Sequence, residues 1–405
     1  MDRGHLPNGW KVKKLGEVYD VRDGTHDSPK YLSEGYPLIT SKNLKPNGLS
    51  FENIRYISEI DFNKINERSL VHKGDVLVAM IGTIGNPTIV ELEPNFAIKN
   101  VALMKVINNQ NSYFLKYYLE TNYVRSKMQR EAKGTTQKFV GLGYLRDFPM
   151  ICPPINEQKQ IVAILDEAFE GIDQAIRNTE KNLANARELF DSYLNKIFTQ
   201  KGDGWEEGKL GQIATFRNGL NFTKSSKGES IKIVGVKDFQ NHFYIQENQL
   251  ESVTIDADLK EIDILRKGDI LTVRSNGNKE LIGRCVLADN LLEKTSHSGF
   301  TIRIRIEKEN IYPSFIVYFL KSKDLRKQLA ESGGGISISS LNQESLSQIK
   351  INFPSLVEQK FIVQNINELD AETQRLEIIY RQKLAALNEL KQSILQKAFT
   401  GQLTK

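Results

Sequence analysis

Glu157-Gln158-Lys159-Gln160-Ile161-Val162-Ala163-Ile164-Leu165-Asp166 opens a run that closes with Lys196-Ile197-Phe198-Thr199, and Glu358-Gln359-Lys360 opens a second run that closes with Lys397-Ala398-Phe399-Thr400. The chain is built twice. Each run, 156–199 and 357–400, repeats apolar residues at steps of three and four, and only Gly171 interrupts it, so each is expected to be one long helix. The first stripe passes through Ile161, Leu165, Ala168, Ile172, Ile176, Thr179, Leu183, Ala186, Phe190, Tyr193 and Ile197. From Ile176 onward its steps alternate three and four, the pattern of a coiled-coil seam, after a stutter at Ala168, Ile172 and Ile176. The expected seam sets Leu165, Ile172, Ile176, Leu183, Phe190 and Ile197 on one helix against Ile366, Leu369, Leu376, Leu384, Leu387 and Ile394 on the other. At about 1.5 Å per residue each helix would run roughly 60 Å, long enough to hold two bodies apart.

The sequence around the helices supplies those bodies. Gly9-Trp10 and Lys14-Leu15-Gly16-Glu17-Val18 return as Gly204-Trp205 and Lys209-Leu210-Gly211-Gln212-Ile213, so Lys201-Gly202-Asp203-Gly204 reads as a linker. Lys73-Gly74-Asp75 and Lys267-Gly268-Asp269 each lead into a predicted strand. Phe300, Ile302, Ile304 and Ile306 alternate with Thr301, Arg303 and Arg305, the period of a half-buried strand. Two aromatic-rich stretches, 113–119 and 314–320, read as helices. The fold class is therefore α+β: two tandem globular units separated by two long helices, with boundaries at 1–152, 153–200, 201–353 and 354–405.

A net charge of +5 on 405 residues is mild and permits a polyanionic partner without requiring one. The opening residues lack the apolar core of a signal peptide, and no stretch approaches the ~20 apolar residues of a membrane span, so a cytoplasmic protein without membrane association is expected. Cys152 and Cys285 occupy unrelated positions in the two halves, which favours neither a disulfide framework nor a metal site.

Chemistry is absent where an enzyme would show it. There is no GxxxxGK[ST] phosphate loop, no GxGxxG, no HExxH and no metal-spaced set among His5, His26, His72, His242 and His297. Asp147 with Glu157 and Lys159 imitates the spacing of a metal-dependent nuclease, but Gln348 answers Asp147 in the second half while Glu358 and Lys360 persist. The repeated Glu-Gln-Lys is better explained as the first turn of a helix, where Glu meets the positive end of the dipole. What remains are polar, Gly-rich loops that suit DNA, with Lys for phosphate and Arg, Asn and Gln for base edges. The candidates are Lys42, Asn43, Lys133, Thr135, Thr136, Gln137 and Lys138 in the first half, and Arg217, Asn218, Arg274, Asn276 and Ser337 in the second.

The tandem of Gly134-Thr135-Thr136-Gln137-Lys138, Leu142-Gly143-Tyr144-Leu145, Pro153-Pro154 and Glu157-Gln158-Lys159 resembles the junction between a target recognition domain and the long helix in type I restriction-modification specificity subunits. The second copy departs from it, reading Gly333-Gly334-Gly335-Ile336-Ser337 where the first has Gly-Thr-Thr-Gln. The resemblance implies two target recognition domains, each reading half of a bipartite site in double-stranded DNA, and an antiparallel coiled coil that sets the spacer. It implies no cofactor in this chain. Two separate modification subunits would bind S-adenosylmethionine and methylate adenine, and restriction subunits using ATP and Mg can join them. The competing reading is a protein-only coiled-coil scaffold with two adaptor heads, which would hold no sequence-specific DNA.

Overall fold

The computed structural model describes residues 6–107, 110–200, 202–223, 225–240, 242–256, 258–331 and 341–403. Its two long helices are Ile155–Thr199 and Leu356–Ala398, of 45 and 43 residues, or about 65 Å each. Gly171 does not break the first. Each helix begins just after a proline, with Glu157 or Glu358 in its first turn. The glutamine beside each acid anchors that turn. Gln158 donates to the Pro153 carbonyl at 2.8 Å, and Gln359 donates to Pro354 O at 2.8 Å and Asn310 O at 3.0 Å.

The chain forms two compact units, Met1–Glu180 with Gln382–Lys405, and Lys181–Arg381. Each therefore takes a segment from both long helices. In the first unit Lys391 Nζ meets Asp173 at 2.9 Å; in the second, Arg187 meets Glu377 at 2.6 and 2.9 Å. Partner numbers fall as the first helix advances, so the paired helices are antiparallel.

The first unit centres on an antiparallel four-stranded sheet in the order Asp20–Asp23, Val101–Lys105, Val76–Ala79, Gly85–Ile89. A three-stranded sheet follows the order Arg55–Ile57, Tyr36–Ile39, Ala97–Ile98, and Lys11–Lys14 pairs with Pro149–Cys152. Side chains alternate across the four-stranded sheet. Val76, Val78, Ala102 and Met104 pack toward the helix Ser112–Glu120 and the long-helix segments, while Leu77, Ala79, Val101 and Leu103 pack toward Ile39, Phe96 and Ile98.

The second unit repeats this topology. Its four-stranded sheet runs Ala214–Asn218, Thr301–Ile306, Ile270–Val273, Cys285–Leu287, its three-stranded sheet Glu251–Thr254, Ser230–Val234, Thr295–His297, and Glu206–Lys209 pairs with Lys350–Phe353. In both units the terminal strands lie side by side, so the globular part opens and closes at one place and the chain passes at once into a long helix.

The far end of a long helix also seats in each unit. Phe399 lies 5.2 Å from the Phe114 ring and 5.4 Å from Tyr118, and Phe198 lies 5.1 Å from Phe315 and 5.5 Å from Phe319. A buried ion pair recurs as well. Lys105 reaches Asp75 at 3.3 Å, and Arg305 grips Asp269 through two bonds of 2.7 Å. Each carboxylate also accepts a backbone N–H from the preceding turn, His72 N at 2.8 Å or Arg266 N at 2.7 Å.

Two expectations shift. The strand Thr301–Ile306 is buried on both faces rather than one, because Asp269 and the Ile262 carbonyl at 2.7 Å hold Arg305 and Arg303 inside. On the second long helix Leu376 is 38% exposed, while Thr373 is 8% exposed and Glu377 takes the ion pair. The inward face there passes through Thr373 and Glu377, three positions before and one position after Leu376.

The buried pairs and the exposed Lys14–Asp147 pair at 2.7 Å separate by burial. Asp75→Asn or Asp269→Asn leaves a buried cation without its partner and is expected to lower unfolding free energy by about 3–5 kcal/mol. Asp147→Asn should lower it by less than about 1 kcal/mol, as the neutral Gln348 bonded to Lys209 at 2.6 Å in the second unit suggests. Urea denaturation of the three variants checks the ranking.

Candidate nucleic-acid interface

In the first unit three connections meet beyond the ends of the four-stranded sheet. The segment after Asp20–Asp23 is laced to the turn before Val101–Lys105: Gly24 N donates to Val101 O at 3.0 Å, Thr25 N to Ile98 O at 3.0 Å, and Asn100 N to Thr25 O at 3.1 Å. A Cβ on Gly24 would stand 2.1 Å from Ile98 O, so this crossing requires glycine. The third connection is a hairpin. Lys133 and Phe139 exchange backbone bonds of 2.9 and 2.8 Å, Gly134 turns the chain at φ +100°, and Gly82 N and Val140 N fix the hairpin to the segment after Val76–Ala79.

This geometry presents Lys133, Thr135, Thr136, Gln137 and Lys138 on a braced, exposed tip. A tip held at both ends loses little backbone entropy when it engages a groove. Lys42 is exposed nearby, since its neighbour Ser41 reaches the Asn100 carbonyl at 3.4 Å. Asn43 is different. It is 6% exposed, its Oδ1 accepts from Thr40 N and Oγ1, both at 2.9 Å, and its Nδ2 donates to Ser50 O at 3.0 Å. Asn43 builds a turn and has no free edge for a base.

His26 enters the same cluster. Its Nδ1 lies 2.8 Å from Asn100 Oδ1 and its Nε2 2.9 Å from Asp23 Oδ2, while Arg68 donates to the other Asp23 oxygen at 2.5 Å. The bond to Asn100 and then the one to Asp23 raise the imidazole pKa above its ordinary value. The protonated ring donates at both ends, so the tether is full below the ordinary imidazole pKa and loosens as pH rises through the raised one.

The second unit assembles the corresponding place from different side chains. Asn218 is exposed at the end of its strand, and Gly219 crosses so close to His297 and Ser298 that a Cβ would lie 2.2–2.3 Å from their carbonyls. Arg274 N donates to Phe300 O at 2.8 Å, and Leu341 N donates to Arg274 O at 2.8 Å, so Arg274 sits beside the exposed Phe300, while Asn276 Oδ1 accepts from Asn278 N at 2.9 Å. Arg217 is partly engaged, its Nε bonded to Asp263 at 2.5 Å. His297 is buried beside Arg303, and burial first, with that cation second, pushes its pKa down to about 3. Ser337 lies outside the described residues. From sequence His26 is one polar residue among several in the loop 22–30, and Phe139 and Phe300 read as core.

The family described as Type I restriction modification DNA specificity domain matches residues 7–184 and again 202–386. The chain belongs to that family and carries its domain twice. Recognition of a DNA sequence, as a specificity subunit, is therefore its function. It is 24% identical to the StySPI specificity subunit of Salmonella potsdam and, at the same identity, to the EcoKI specificity subunit of Escherichia coli K12, each across 100% of this chain and 91% of the relative. A chain from a structure of complex assembly and conformational transition in a type I R-M system aligns with a TM-score of 0.76 at 19% identity, over 99% of this chain and 100% of that one. The HsdS subunit of Thermoanaerobacter tengcongensis aligns at 0.55 and 19%, over 99% of both. Among the described residues no helix is long and apolar enough to cross a membrane.

Lys138 and Asn43 give opposite expectations. Lys138→Ala should weaken binding to every duplex and reduce the slope of log affinity against log salt by about one. Asn43→Ala should leave that slope unchanged and lower stability by about 1–3 kcal/mol, the loss of a buried hydrogen-bonded amide. Salt titrations of binding, run beside thermal unfolding, distinguish them.

Proposed function

We propose that the two globular parts, residues 1–152 and 201–353, each read one half of a bipartite DNA site, and that the antiparallel long helices, 153–200 and 354–405, set the distance between the halves. The observation that carries this reading is the doubled topology with unlike loops. The same sheets, closing strands and helix ends recur, while the exposed ends hold Gln137, Lys138 and Phe139 in one half and Asn218, Arg274 and Asn276 in the other. Scaffolds of like topology place two readers, and different side chains let them read different bases. Each long helix runs about 65 Å, more than one ~34 Å turn of duplex, and that length supports a spacing role for the pair.

Catalysis, on this reading, belongs to other subunits. Two modification subunits dock on the helices and recognition domains, bind S-adenosylmethionine and methylate adenine at N6, and restriction subunits using ATP and Mg join where they are made. Alone with S-adenosylmethionine the chain methylates nothing. A protein-only scaffold would accept the same helices but leaves the braced, cation-bearing tips without a purpose.

A map of N6-methyladenine in the source genome, with and without the gene, tests the assignment. A split motif that disappears on deletion supports it; DNA selection with added modification subunit that enriches no sequence would overturn it. Removing about one turn, four residues, from each long helix should shorten the gap in the selected motif while leaving both half-site sequences intact. An unchanged gap would end the spacer role of the helices.

A further inference from the structure

The first unit carries a mostly apolar cleft of about 400 Å³ at the base of the exposed hairpin, lined by Met80, Ile81, Phe139 and Leu142, with Asp23 and His26 at one side. Phe139 is 41% exposed. It cannot turn into the core without giving up its two backbone bonds to Lys133 and the bridge to Ile81. A large aromatic held in water by its own backbone is unfavourable for folding alone, at about 25 cal/mol per Å² of apolar surface left wet.

The second unit shows that the fold does not require these side chains. The register that sets Val140 N on Met80 O sets Leu341 N on Arg274 O, so Arg274, Ser275 and Gln343 answer Met80, Ile81 and Leu142. In sequence Ser340, outside the described residues, answers Phe139. At these described positions one scaffold carries Arg274, Ser275 and Gln343 where the other has the apolar Met80, Ile81 and Leu142.

The surroundings favour DNA as the occupant. Lys133 and Lys138 stand exposed at the two sides of the hairpin. The one carboxylate at the cleft, Asp23, is held by Arg68 at 2.5 Å and His26 at 2.9 Å, so it does not face phosphate uncompensated. Among base edges in the major groove, only thymine offers an apolar group, its C5-methyl.

We propose that this cleft is a base-reading subsite for the C5-methyl group of a thymine in the half-site read by the first domain, with Phe139 and Ile81 as the specificity-determining residues. The proposal rests on the two-reader assignment above and adds what one reader selects.

The test uses the full chain with its modification subunit, on duplexes carrying the mapped motif, with each thymine replaced singly by deoxyuridine. One replacement, in one half-site, should weaken binding by about three- to tenfold, the value of burying a methyl group. Phe139→Ala should bind the thymine duplex more weakly by a similar factor and no longer distinguish it from the deoxyuridine duplex. Ile81→Ser, which installs the second domain's residue and preserves the backbone, should reduce the discrimination in the same way and guards against misfolding of Phe139→Ala. The idea is overturned if neither half-site holds a thymine whose methyl matters, or if both variants bind the motif and keep the parent's discrimination. A parent complex that selects no split motif at all would instead sink the two-reader assignment beneath it.

Discussion

Phe399 is completely buried against Phe114 and Tyr118, and the construction of the first unit depends on that contact. The globular part between Lys11 and Cys152 has only the start of one long helix following it in the chain. Its remaining apolar surface is covered by the last turns of the other long helix, which carry Leu395, Ala398 and Phe399 into the same core as Leu165, Phe169 and Ile172. In the second unit Phe198 does the same for Phe315 and Phe319, with Leu194 beside it. A helix whose end must reach a globular part encoded far away has its length and direction constrained. Adding or losing a residue rotates the stripe by about 100° and takes the aromatic anchor off its seat.

The second repeated device is electrostatic. Asp75 with Lys105, and Asp269 with Arg305, place one carboxylate and one cation in nearly dry surroundings at the mouth of the central strand. Such pairs are costly to break and fix geometry more than they add stability. Their partners are distributed over the turn, the strand and the segment before it, so one charged contact sets the entry of the central strand in both halves. The halves then diverge inside as well as at the loops. Leu103 packs in an apolar cluster, whereas Arg303 at the same register is buried and His297 beside it stays neutral. A scaffold that tolerates such an exchange in its interior is held by its ends and turns more than by any one core residue.

This explains what was legible in the sequence. The long helices were readable because a three-four stripe over forty residues has no competing explanation, and the doubling because Gly-Trp, Lys-Gly-Asp and Glu-Gln-Lys return in order. The α+β units followed from strand and helix periods. The fate of individual polar side chains was less readable. Asn43 and Arg217 belong to residue types that meet DNA, yet Thr40 and Ser50 occupy the amide of Asn43 and Asp263 takes the Nε of Arg217. Phe139 is the reverse case, an aromatic that composition assigns to a core and backbone pairing holds at the surface. Leu376 against Thr373 belongs here too, because packing geometry rather than side-chain type decides which of two neighbouring turns faces inward.

Exposed loops and long helices are held by different kinds of contact. Backbone bonds brace the hairpin 133–139, through its own ladder and Gly82, and the second unit's junction, through Arg274 and Phe300. Side chains there are consequently free to change without loss of the brace, as Met80 against Arg274 and Ile81 against Ser275 demonstrate. The helix ends have no such freedom, because Phe198 and Phe399 touch cores. Change in the braced loop side chains is therefore cheap in stability, and change in the length of a long helix must move by whole turns or lose an anchor. In each unit, then, the side chains that differ between the halves lie where backbone bonds hold the chain, and those that recur lie where helix ends enter a core.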